Sequence, residues 1–508
     1  MWMPVDNDLV VVGAGPTGLS LALQASLMGV RVRIIDRRPE PRIWAPALAI
    51  HPRTMEILRG LGVADELVAR GLSNVDLSVH GGDKSVTGTL GDLRLPVTEF
   101  PFVLFAPQPE VEAVLAERLA GIGVGVEWGS ELRALTQGDG GVECSVAVDG
   151  EERIIDTRYV VGCDGAESTV RRQCGIEFRG RNYRDSIMIA DIGPIDVLEP
   201  KTAHAFLAPR GILFFFPLLS GKWRLIGPAP GDESPAGARA LVRRHCRGEI
   251  EVGGVAFIKV IRPQHRLAGA YRRGRVFLAG DAAHVHSPAG AQGMNTGIQD
   301  AANLGWKLGM ALRGGPVALL DTYEAERRPV ARWVVRLTGL AHALEVSELA
   351  LLRWGRRWAA LPIASLLLPR PRLMSMIARV VSGIDTKYRS GAVDAPRFAS
   401  HRNGTGRRLP DAEIDGPVPR LHRIVDAKTL HLIVFEQLEP RAEEQLLRLA
   451  ANTLSVHRIR RAHPGVGRVA WVLVRPDGYI ATSGEGGDLT AAERYMRRWI
   501  VEDPAPAT

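Results

Sequence analysis

The chain has 508 residues, a formal charge of +8, and 46% hydrophobic and 24% charged residues. That length exceeds one compact core and points to two or three domains able to enclose a large ligand, and the composition excludes a fibrous or broadly disordered protein. The arginines are dispersed among acids without a basic, aromatic-interleaved motif, which argues against a nucleic-acid partner.

The N-terminus, "MWMPVDNDLVVVGAGP", passes straight into an apolar run and reads without a secretory signal. Cys144, Cys163, Cys174 and Cys246 are neither closely paired nor at metal-ligand spacing. A reducing cytoplasm is the expected setting, and no metal site is expected.

The segment "DLVVVGAGPTGLSLALQASLMGVRVRIIDRRPEP" predicts a strand over 9–12, a glycine turn, a helix opened by Pro16 and Thr17, and a strand over 32–35 ended by Asp36. Gly13, Gly15 and Gly18 stand at G-x-G-x-x-G spacing. Gly13 suits a tight turn, Gly15 a backbone that approaches a pyrophosphate, and Gly18 close packing of helix on strand. The helix N-terminus offers free N–H groups and a partial positive charge to phosphates. Asp36, with Arg37 beside it, stands where a carboxylate binds ribose hydroxyls. FAD and NAD(P) both satisfy this pattern.

Further along, "FAPQPEVEAVLAERL" reads as a helix entered at Gln108, and "RYVVGCDGAESTVRR" as a strand, a turn at Asp164 and a helix. In "AHAFLAPRGILFFFPLLSGKWRLIGPAP" two apolar runs joined by Ser220-Gly221 predict a hairpin. Phe214, Phe215, Phe216 and Trp223 offer an aromatic substrate wall or ordinary core; His204, Arg210 and Arg224 are candidates to orient or deprotonate a phenol.

The segment "RVFLAGDAAHVHSPAGAQGMNTGIQDAANLGWKLGMAL" predicts a buried strand ending at Gly280-Asp281, then a loop of small residues and a helix. A second carboxylate, remote in sequence from the first, suits the ribityl hydroxyls of FAD. Pro288, Gly290 and Gly293 leave room for a flat ring, and the helix start at Met294 and Asn295 suits the flavin pyrimidine edge, where a positive dipole stabilises the reduced state. His284 and His286 lie next to this loop without further ligands that would make them a metal pair.

No apolar run reaches the roughly 20 residues of a membrane span. "LPIASLLLP" is too short and reads as a packed or solvated helix, so no stable membrane insertion is expected. A Gly/Pro/Arg-rich linker over 390–419 precedes alternating strands and helices over 420–508.

Three motifs, "GAGPTG", "GCDGAESTVRR" and "GDAAHVHSPAGAQGMNTGIQDAANLGWKL", stand in an order and spacing that resembles the FAD-dependent aromatic hydroxylases of the para-hydroxybenzoate hydroxylase type, and among them the longer phenol and polyketide hydroxylases. The resemblance covers roughly 8–336. It implies an α/β architecture in which a Rossmann-like FAD domain (1–72, 102–177 and 268–389) carries an inserted sheet-rich substrate domain (73–101 and 178–267). The unit over 420–508 resembles the thioredoxin-like domain of the longer members. With no cysteine after Cys246 it cannot exchange disulfides, which leaves assembly or scaffolding.

The resemblance also implies that Gln108 contacts the ribityl region and that Asp164 helps organise the flavin site. The implied reaction has NADPH or NADH reducing FAD, O2 adding at flavin C4a, and the hydroperoxide oxygenating a small aromatic or polyketide substrate. The chemistry is the flavin's, so no protein nucleophile is expected; His284, His286 and Pro288 are the catalytic candidates. Baeyer–Villiger oxidation, modification of a drug-like naphthoquinone, and a noncatalytic flavin-fold protein that shields an intermediate remain alternatives. A homodimer is implied by resemblance alone. One departure stands out: near the place where the family commonly has an arginine this chain has Pro46, with Arg42 and Arg53 as substitutes.

Overall fold

The computed structural model describes residues 7–208, 211–246, 250–346, 349–388, 404–415, 418–459 and 469–501; Arg210 lies outside them. Leu9, Val10 and Val11 are wholly buried, as expected of a strand covered on both faces. Their strand, Asn7–Val12, is the spine of an eight-stranded sheet and pairs in parallel with Val32–Asp36 and with the end of Glu151–Gly162. Val12 stands opposite both Ile35 and Gly162, and Gly162 stands opposite Leu278 of Val276–Leu278. This register brings the glycine turn, Asp36, Cys163-Asp164 and Gly280-Asp281 to one edge, at the carboxyl ends of parallel strands where ligands bind in open α/β sheets.

Two helices cover this edge. Pro16–Leu27 lies against Gln292–Leu312, and glycines set their close approach: a Cβ on Gly305 would come within 2.6 Å of Gln24 Cγ, and one on Gly309 within 2.6 Å of Met28 Sδ.

A seven-stranded sheet holds the other half of the molecule, in the order Val255–Ile261, Ile187–Ile192, Trp223–Pro228, Gly211–Pro217, Thr202–Ala208, Asp76–Gly81, Lys84–Thr89. The hairpin expected around Ser220-Gly221 is present, and the run before it divides into two strands. Parallel pairing of Thr202–Ala208 with Asp76–Gly81 joins two segments distant in sequence.

The apolar stretch around Leu361 forms the helix Ala360–Leu367, between Ala350–Trp358 and Pro371–Val381. Leu361 and Leu368 pack onto Gly81 and Gly88 of the seven-stranded sheet, while Ile363 and Leu366 face outward. Among the described residues no helix is long and apolar enough to cross a membrane.

The last unit is a four-stranded sheet in the order Leu454–Arg458, Leu430–Val434, Trp471–Val474, Ile480–Gly484. The first two strands are parallel, with the helix Pro440–Ala450 between them in sequence. The others are antiparallel, and Thr490–Trp499 follows, which is the thioredoxin-like arrangement. Leu409, in the stretch read as linker, is wholly buried with Leu421, Ile433 and Val472. Arg475 and Asp477 reach from this unit to Glu326 on the helix Ala318–Val346 and Asn303 on Gln292–Leu312.

Candidate active site

A cavity of about 810 Å³ runs from the glycine turn to the face of the seven-stranded sheet. At its first end lie Gly13, Gly15, Pro16 and Thr17. The three motif glycines divide their work as their positions demand. Gly13 has φ +106° and its Cβ position would fall 2.4 Å from the Cys163 carbonyl; a Cβ on Gly18 would fall 1.8 Å from the Gly13 carbonyl oxygen, so any side chain there would break the helix–strand contact. Gly15 has only Glu112 near, at 4.0 Å, which leaves its backbone open to the cavity.

Asp36 lines the same end with Arg37 and Arg38. Burial would raise its carboxyl, but hydrogen bonds from Arg38 and the Ala14 N–H outweigh this and hold it below the usual range. Gln108 lines the cavity and donates to Glu112 at 2.8 Å. Asp164 accepts from the Thr169 and Val170 N–H groups through Oδ2, while its buried Oδ1 has no partner. Burial raises this carboxyl, and those hydrogen bonds only partly offset the effect.

Asp281 is exposed to the cavity and otherwise enclosed by protein. Enclosure pushes its carboxyl up, opposed by His284 and Arg42. Beyond it, His286, Pro288, Gly290, Gly293 and Met294 line the middle of the cavity. Gly290 has φ +71°, and the turn it makes aims the N-terminus of Gln292–Leu312 at this space.

Several expected contacts are corrected. Gly280 is a packing position, the role already read for Gly18: a Cβ on Gly280 would meet Thr17 Oγ1 at 2.6 Å. The Asn295 side chain turns away, accepting from His51 N–H and donating to the Ala49 and Ala291 carbonyls, and so pins the 49–51 segment to the helix. His284 is wholly buried and bonded to Asp300 at 2.7 Å, a carboxylate that also receives Arg327; it is a core residue outside the cavity wall. His286 does line the cavity. Burial, aided by neighbouring His284, holds it at about 4, and its Nε2 has no partner.

On the seven-stranded sheet, alternation sends Phe214 and Phe216 into the cavity and Phe215 into the core. The two cavity rings stack with centroids 5.7 Å apart. Trp223 and His204 are core residues instead: Trp223 is 2% exposed, and His204 bonds to His80 at 3.0 Å. Arg224 is also outside the wall. It pairs with Asp191 and donates to the carbonyls of Ala45, Pro46 and Ala47, so that it fixes the loop whose Pro46, Ala47 and Leu48 do line the cavity. Of the two arginines offered in place of the family's, Arg42 lines the cavity, whereas Arg53 is buried against Glu56 and the Asp477 carbonyl.

The sequence reading missed the opposite wall. Met374, Ile377, Ala378 and Val381 bring the helix Pro371–Val381 against the cavity, and Glu345 enters from the end of Ala318–Val346. The amphipathic spacing of 371–381 was the available signal.

Residues 6–338 match the family model described as FAD binding domain, and residues 402–502 the one described as aromatic-ring hydroxylase, C-terminal. The chain belongs to the FAD-dependent aromatic-ring hydroxylases. The hydroxylase is 35% identical to 6-methylpretetramide 4-monooxygenase of Streptomyces rimosus, over 99% of this chain and 96% of that one. It is similar in structure to an anhydrotetracycline hydroxylase from Streptomyces rimosus, with TM-score 0.78 and 31% identity over 98% and 100% of the two chains. It is also similar to aklavinone-11 hydroxylase in a ternary complex with FAD and aklavinone, with TM-score 0.82 and 25% identity over 98% and 99%.

The cavity residues of the hydroxylase fit FAD. The open backbone at Gly15 and the start of Pro16–Leu27 suit the pyrophosphate, Asp36 the adenosine ribose, and Asp281 with the unpartnered Asp164 Oδ1 the polar middle of the cofactor. The loop of Pro288, Gly290 and Gly293 presents little side-chain bulk to the ring. Among the described residues no cluster could hold a metal ion.

Proposed function

We propose that the hydroxylase oxygenates a polycyclic aromatic substrate of polyketide type, with NADPH or NADH as reductant and O2 as co-substrate. The observation that carries this reading is the continuity of the cavity: residues fitted to FAD at one end give way, past His286 and Pro288, to an apolar chamber bounded by Leu77, Phe105, Phe214, Phe216, Ile226 and Met374. Bound FAD supplies the redox chemistry by which one atom of O2 enters the substrate. The protein's part is to bind and orient a flat apolar molecule between the phenylalanine face and the Pro371–Val381 helix, and to exclude water from the ring. The tetracycline-type and aklavinone-type names of the relatives support a substrate of several fused rings.

In this reading the FAD domain comprises 1–72, 102–177 and 268–389, and the substrate domain 73–101 and 178–267. The assignment is supported by the separate eight- and seven-stranded sheets. The stretch over 390–419, whose Leu409 packs into the last unit, leads from them to the unit over 420–508. A cytoplasmic setting is supported by four unpaired cysteines, and a homodimer by exposed Leu351, Trp354 and Trp358.

The test is turnover under 18O2 with NADPH or NADH and a panel of phenols, naphthoquinones and fused-ring polyketides. A product carrying one labelled oxygen on an aromatic carbon is expected. An ester or lactone product would instead establish Baeyer–Villiger oxidation, and reductant consumption yielding only peroxide for every compound would count against the substrate class.

A further inference from the structure

Resting on the polycyclic-substrate reading, we infer that Glu345 is the hydrogen-bond acceptor for a phenolic or enolic hydroxyl of the substrate, and thereby selects hydroxylated over alkylated rings. Glu345 lies near the C-terminal end of the helix Ala318–Val346, in the cavity wall. The same cavity wall includes Ile187, Phe214, Ile226, Ile261 and Pro263, none of which carries a polar side chain. Among the described residues it has no side-chain hydrogen bond and no ion pair.

Charged and titratable neighbours do not explain it. Burial alone raises the carboxyl to about 7, with no contribution from any charged group. His342, one turn earlier on the same helix, is bonded to Ser287 and has Asp185 as its charged neighbour. His286, on the loop side of the cavity, is held at about 4 and is neutral at ordinary pH, and His51 is likewise held low by burial. The other carboxylates lining the cavity are Asp36, Glu131, Asp164, Glu167 and Asp281 and its cations Arg37, Arg38 and Arg42, and none of them perturbs Glu345.

A carboxylate that opens only onto an apolar cavity and has no protein donor gains when a ligand brings it an O–H. The wall chemistry selects the donor. Flat, stacked Phe214 and Phe216 suit an aromatic plane, and a hydroxyl at the rim of such a plane can point at a carboxylate while the plane stays on the apolar face. An ether at the same position has no proton to offer. Because the group accepts as the carboxylate, the preference is present above about pH 7 and fades as the pH falls through that value.

The test uses FAD-loaded enzyme and four probes, 1- and 2-hydroxyanthracene and their methyl ethers, with dissociation constants read by fluorescence at pH 6 and pH 8. At pH 8 a hydroxyanthracene should bind about tenfold tighter than its ether, the scale of a hydrogen bond to a charged group. The preference should shrink at pH 6. In Glu345→Leu it should vanish, and in Glu345→Gln, which keeps an acceptor but no charge, it should be weaker and independent of pH, with the FAD content and flavin spectrum of both variants unchanged. Equal, tight binding of alcohols and ethers, or a preference that survives in Glu345→Leu, would overturn the role of Glu345 and leave the polycyclic reading standing. Failure of all four probes to bind would overturn both.

Discussion

Replacing Arg475 by Met tests how the C-terminal unit is fastened to the FAD half. Arg475 is wholly buried; Nη1 and Nη2 each donate to Glu326 at 2.8 Å, Nε donates to Asp477 at 2.9 Å, and the guanidinium carbon lies 5.1 Å from the Trp306 ring centroid. Burial by itself would raise the Glu326 carboxyl, but Arg475 and Lys307 outweigh it and hold the group at about 2, against an ordinary 4.5. That gap corresponds to about 3 kcal/mol of folding free energy. It agrees with the roughly 3–5 kcal/mol lost when one partner of a buried ion pair is removed. Lys307, 2.8 Å from Glu326, and Asn303 remain as partners in the variant, so the lower end, about 3 kcal/mol, is expected.

The folded carboxyl titrates below its unfolded value, so this stability is present above about pH 4.5 and is lost as the pH falls toward 2. Urea unfolding of FAD-loaded wild type and Arg475→Met, followed by tryptophan fluorescence, should show the full difference at pH 7 and a narrowing one on acidification below 4.5. A loss under about 1 kcal/mol at pH 7, or a difference that ignores pH, would refute the reasoning.

Gly18→Ala places a Cβ 1.8 Å from the Gly13 carbonyl oxygen, so helix and strand must separate; about 3 kcal/mol of stability should go, together with bound flavin, as read by thermal unfolding and flavin absorbance per protein. Asp281→Ala removes the carboxylate facing the middle of the FAD site and should weaken FAD binding by about tenfold, measured by titrating the apoprotein; unchanged affinity would count against its assignment. Arg224→Met leaves Asp191 with the Trp44 indole N–H alone and releases the carbonyls of residues 45–47. It should cost about 3 kcal/mol and raise KM for the substrate more than it lowers FAD occupancy, a separation visible by comparing steady-state kinetics with flavin content.

The FAD end of the cavity was legible in sequence because its chemistry is local. A strand buried on both faces must be continuously apolar, as in Leu9–Val12, and the turn that follows must be glycine where the Gly13 φ is +106°. Asp36 ends its strand and Asp281 follows three residues after Val276–Leu278, so the strand pattern was enough to single out both carboxylates. Roles set by distant partners were not legible. His284 is made structural by Asp300, sixteen residues away, and His204 by His80, 124 residues away. Arg224 reads as a substrate anchor until its acceptors prove to be the carbonyls of the 45–47 loop. Glu345 has the pattern of a solvated helix residue, and only the packing of Ala318–Val346 beside the seven-stranded sheet turns it toward a cavity. The Pro371–Val381 wall was hidden for the same reason, since amphipathic spacing gives a buried face without saying what it faces.

The most direct test of the account follows flavin absorbance of the purified protein under anaerobic NADPH and NADH, with and without fused-ring phenols. The account predicts FAD bound in the cavity and reduced by one of the two nucleotides, faster when a polycyclic phenol is present, with an oxygenated product on admission of air. Bound FAD that no combination reduces would contradict the monooxygenase mechanism and favour a protein that shields an intermediate.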